Sequence, residues 1–174
     1  MFEGWENFFL MSGGAAAVLI GLIFVVISLM QDRPRSTVLA GSKLYMGPIV
    51  LGLSFILVLC AAALAPGVSR TAIAAITGAI AVWGLVRAIM STWGIARLGG
   101  EVHWTDVWFY GVLPVVIYVA MAIVALALWK DWDWAQQGLA AVITAGLLLG
   151  IRNEWDLITW ITPRSDTPEE FGSH

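Results

Sequence analysis

Residues Phe9–Met30 read FLMSGGAAAVLIGLIFVVISLM, 22 consecutive positions without a single Asp, Glu, Lys or Arg. An α-helix rises about 1.5 Å per residue, so this run is long enough to cross a hydrocarbon core of about 30 Å. A water-soluble helix keeps a polar face, and this stretch has none to offer. Its solvent is lipid.

Three more runs of the same kind follow at Gly47–Pro66, Ala72–Thr92 and Val107–Trp129. A fifth, Ala135–Ile151, is interrupted by Gln136 and Gln137 but is still read as a span. Asp133 and Gln136 have the spacing of a capping box at its start, and Gly146 with Gly150 forms a GxxxG packing face. The whole chain agrees with this reading. Of 174 residues, 60% are hydrophobic and 12% charged, about half the charge of an ordinary soluble domain. The expected fold is an all-α integral membrane bundle of five transmembrane helices within residues 1–162. An inner helical extension covers 152–162, and a flexible polar tail covers 163–174.

Orientation follows from the basic residues, which are retained on the cytoplasmic side near span ends. With five spans and the N-terminus outside, Arg33, Arg35, Lys43, Arg87, Arg97, Arg152 and Arg164 collect inside, and only Arg70 and Lys130 fall outside. Tryptophan, which prefers the headgroup level, marks the same two boundaries. Trp5, Trp129, Trp132 and Trp134 fall at the outer one, and Trp93, Trp104, Trp108, Trp155 and Trp160 at the inner. Only Trp83 lies deep.

Small residues recur at helical spacing in the first span (Gly13, Ala17, Gly21) and in the third (Thr77, Ala81, Gly84, Ala88, Ser91). In lipid no hydrophobic force drives helices together, so close approach across such stripes is a main source of association. They serve packing within the protomer or contact with a further helix. Pro114 should kink the fourth span by removing a backbone hydrogen bond.

Two polar groups stand out. Arg87 is the one charge within a span, where insertion scales put its cost at about 3 kcal/mol. It either snorkels to the inner headgroups or faces the bundle beside a polar path, with Trp83 one turn earlier able to stack on it. At the end of the fifth span, Arg152, Asn153, Glu154 and Asp156 form a cluster in which Arg152 and Asp156 are four apart on one face. Ile151, Trp155 and Ile158 form an apolar stripe opposite. This pattern suits an interfacial helix or a contact surface.

Catalytic signatures are missing: there is no phosphate-binding Gly loop, no His-Glu-x-x-His and no Gly-x-Ser-x-Gly. Neither histidine lies in a span, and Cys60 is alone, so no haem, metal site or other cofactor is expected. A net charge of −3 makes nucleic acid a poor partner. A further reading is a membrane enzyme working on lipids at the inner face with Glu101, His103 and Asp106 of the third loop and Glu154. A solvated loop is the simpler account of them.

The opening Phe8–Leu29 and the closing Gly150-Ile151-Arg152-Asn153-Glu154-Trp155-Asp156-Leu157 are similar to a group of small bacterial multi-span proteins. Some of that group are labelled modulators of the FtsH membrane protease. The resemblance implies a bacterial inner membrane and assigns no catalytic residue. The expectation is therefore a non-catalytic accessory or regulatory subunit acting through helix contacts, with membrane lipid, another membrane protein or a second copy as partner. The alternative is a small oligomeric channel or transporter with a polar pathway near Arg87.

Overall fold

A computed structural model describes residues 2–29, 46–97 and 107–161. The expectations placed on Arg33, Arg35 and Lys43, on Glu101, His103 and Asp106, and on the polar tail lie outside the described residues.

Five apolar helices long enough to cross a bilayer make the chain a multi-pass membrane protein, and no strand occurs among the described residues. Helix α1 is Glu6–Leu29, α2 is Gly47–Leu64, α3 is Arg70–Arg97, α4 is Leu113–Lys130 and α5 is Ala135–Ile161. Eighteen residues give α2 a length of about 27 Å, close to the hydrocarbon thickness. The 28 residues of α3 reach about 42 Å, so it outruns the core. The fifth span and its extension are one continuous 27-residue helix.

α1 packs along α2, α3 packs along α4, and α5 lies against α1, α2 and α4, holding the two hairpins together. One end of the bundle carries the start of α1, residues 65–69 and residues 131–134; it is called the proximal end below, and the other the distal end. Phe9, Leu59, Leu128, Leu139 and Ile143 are fully buried in the main core. Ile23, Ile49 and Leu53 form a smaller cluster towards the distal end. Leu10, Val82, Leu126 and Leu148 turn outward, as lipid as solvent requires.

The proximal end is closed by turn chemistry. Phe2 stacks edge-on against Phe9 at 4.9 Å, and the Trp5 N–H donates to the Phe2 carbonyl at 2.9 Å. α4 stops at Asp131, which holds the left-handed conformation at φ 59° while the Trp132 N–H reaches back to the Ala127 carbonyl. Arg70 pairs with Asp131 and so ties the start of α3 to the end of α4. α5 begins at Ala135, so Trp134 holds the cap position and Asp133 precedes it. At this start the Ala135 N–H donates to the Trp132 carbonyl at 3.0 Å.

Pro114 stands where the π-helix Val107–Val112 passes without a break into α4, inside the one span Trp108–Lys130. The tryptophans form two belts. Trp129, Trp132 and Trp134 are exposed at the proximal end, and Trp93, Trp108 and Trp155 at the distal end.

Candidate functional site

The third span's stripe spaces its residues 4, 3, 4 and 3 apart, the heptad rhythm that keeps one seam facing one partner. α3 accordingly buries Thr77, Ala81, Gly84 and Ala88. Thr77 is fully buried and its hydroxyl donates to the Ile73 carbonyl at 2.8 Å, so it offers nothing to a passing solute. At Gly84 the Tyr118 ring lies directly on the helix backbone, in the space a Cβ would need.

Tyr118 reaches from α4 beneath α3 towards α2. Its hydroxyl would sit 3.8 Å from a Cβ built at Gly52, and its ring meets Phe55 edge-on at 6.4 Å. Above this bridge, between the first half of α2 and the second half of α3, a crevice of about 280 Å³ opens in the distal half of the bundle. That is close to the lower end of the range for small-ligand pockets. Most of its wall is apolar. The polar lining comes from Arg87, Ser91, Tyr110, Tyr118 and Asn153.

Arg87 is exposed and stands at the border between this crevice and a shallow depression on the outer face of α3 that also holds Trp83. Among the described residues it meets no carboxylate. Trp83 is 62% exposed and makes no stacking contact with it. The cation–π contact that does occur belongs to Arg152, whose guanidinium lies 4.6 Å from the centre of the Phe109 ring and pairs with Asp156 four residues on.

Asn153 and Glu154 depart from the interfacial picture that their charged neighbours suggested. Both are buried, at 6% and 5% exposure. Arg152 and Asp156 share one side of α5, and a single residue turns the helix by about 100°, so Asn153 points inward while Arg152 and Asp156 stay near the surface. The Asn153 backbone carbonyl accepts a long bond from the Tyr110 hydroxyl, 3.4 Å. Its side-chain Oδ1 is buried and has no hydrogen-bond partner, and Asn153 lines the crevice. Glu154 is not part of the crevice wall; its Oε1 is also buried without a partner.

No family model, curated protein or solved structure matches the chain. No group of three or more metal-ligating side chains occurs among the described residues.

The packing stripes divide unevenly. Gly146 and Gly150 receive α2 side chains, with a Cβ there meeting Ile56 at 3.0 Å and Leu53 at 2.9 Å. Gly13 lies against Cys60, 3.0 Å from a Cβ. Ala17 and Gly21, however, do not continue that seam: both are exposed, and nothing lies within 4 Å of a Cβ at Gly21. Ser12, Ala16 and Ile23 hold the inner seam in their place. Steps of four advance about 40° each around a 3.6-residue helix, so a 13/17/21 stripe winds out of a contact that it enters at Gly13. Sequence reasoning missed Gly52, Tyr110 and Tyr118, whose roles depend on which helices meet.

Proposed function

We propose that this protein is a non-catalytic accessory or regulatory membrane subunit that works by receiving another helix on α1. The observation that supports it is the outward face made by Gly14, Ala17 and Gly21. All three are exposed, with nothing within 4 Å of a Cβ at either glycine, and Leu10, Val18 and Val25 stand beside them. A backbone groove flanked by large apolar side chains is the form that close helix approach takes in lipid. A photoreactive residue at Ala17 is expected to give one discrete protein adduct in native membranes, either with a second copy or with another membrane protein, and Gly21→Leu should abolish it. Adducts with lipid alone would overturn the proposal.

The setting that suits this role is a bacterial inner membrane, with the N-terminus outside and the C-terminus in the cytoplasm, as the Lys and Arg distribution favours. Reporters fused to the two ends should then report opposite compartments. Signal from both in one compartment would exclude five spans. The channel or transporter reading has Arg87 on the crevice in its favour, and ion flux from reconstituted liposomes that falls with Arg87→Ala would establish it.

A further inference from the structure

Arg87 carries a charge into a span where it costs free energy unless something meets it, and among the described residues no carboxylate does. One helix away, Asn153, whose side-chain oxygen is buried without a donor, lines the same crevice. Buried polar atoms are nearly always paired, so an unpaired one on a residue that lines a cavity calls for a partner that the described residues do not supply. The two groups ask for complementary things. A guanidinium at the border calls for an anion, and Oδ1 within calls for a hydroxyl or amine hydrogen.

Apart from Ser91, Tyr110 and Tyr118, the rest of the wall is apolar: Ile49, Leu53, Phe55, Ile117 and Met121 offer nothing to a hydrated solute. We propose that the crevice between α2 and α3 binds one anionic phospholipid, its phosphate on Arg87, a headgroup hydroxyl towards Asn153 and one acyl chain lying in the crevice. A lipid suits this place better than a soluble anion, because the crevice lies within spanning helices and its wall matches hydrocarbon. The site is independent of the α1 groove, so the two proposals stand or fall separately.

Native mass spectrometry of the detergent-solubilised full chain tests it with phosphatidylglycerol, which carries both the anion and the hydroxyl, against phosphatidylcholine, which carries a balancing cation and no such donor. Phosphatidylglycerol is expected to bind at least about tenfold more tightly, as a charge-assisted hydrogen bond supports. Arg87→Gln should bring the preference below about twofold, and Gly52→Leu, which fills the crevice without touching a charge, should remove tight binding of either lipid. Equal binding of the two lipids by the wild type would overturn the proposal, as would a preference unchanged in Arg87→Gln. If Gly52→Leu binds as the wild type does, the lipid sits elsewhere and the assignment fails. Glycerol 3-phosphate tests the source of the anion: effective competition from it would show that a soluble phosphate suffices and would refute the lipid.

Discussion

Gly84→Leu is expected to leave no monodisperse protein after detergent extraction, and Gly84→Ala to lower the thermal midpoint clearly. The Tyr118 ring occupies the space that any Cβ at Gly84 would need. Phe55 meets the ring edge-on at 6.4 Å, and the Tyr118 hydroxyl lies 3.8 Å from a Cβ built at Gly52, so moving the ring aside breaks its contacts with α2. Forcing extra carbon into a filled contact costs about 1–3 kcal/mol in protein cores, and Leu adds far more volume than Ala. Gly78 on the same helix supplies the contrast. A Cβ there meets Ala125 at 3.7 Å, an ordinary contact, so Gly78→Ala gains helix propensity of about 1 kcal/mol and should leave the midpoint level or raised. Combining Gly84→Ala with Tyr118→Leu should restore most of the loss. Equal losses at Gly78 and Gly84 would show that glycine flexibility, not the Tyr118 contact, is what α3 needs.

That seam is legible in the sequence because Thr77, Ala81, Gly84, Ala88 and Ser91 keep a heptad rhythm, and a heptad stripe stays on one side of a helix. The five spans are legible for a related reason: length and absence of charge are properties of single segments. The two tryptophan belts add an independent marker of the same boundaries. The crevice is not legible. Gly52, Phe55, Tyr118 and Asn153 come from three helices, and no periodicity in one span reveals which residues of another will face it. Asn153 is further disguised by its neighbours, since Arg152 and Asp156 carry the signature of a solvated surface while the residue between them turns into the bundle.

The first span shows the same difficulty in a form that two substitutions resolve. Gly13→Leu is expected to abolish folding, and Gly21→Leu to leave the bundle intact, although the two glycines belong to one apparent stripe. At Gly13 a Cβ already stands 3.0 Å from the Cys60 Cβ, with Leu57 at 4.0 Å beyond, so the remaining carbons of a leucine have nowhere to go unless α1 separates from α2. The α1–α2 contact runs through Phe9, Ala16 and Leu59, all essentially inaccessible, and separating it would expose a large part of the core. At Gly21 the Cβ meets nothing within 4 Å, and leucine is the better helix former by several tenths of a kcal/mol. Its side chain would enter lipid, where apolar surface is at home. Size-exclusion profiles and thermal melts of the two variants in detergent read the difference directly. Loss of folding in both would place Gly21 inside a contact and remove the outward groove on which the accessory role rests. A folded Gly21→Leu that no longer gives the Ala17 adduct would locate the function on that face of α1, because the substitution would then have cost the partner and spared the bundle.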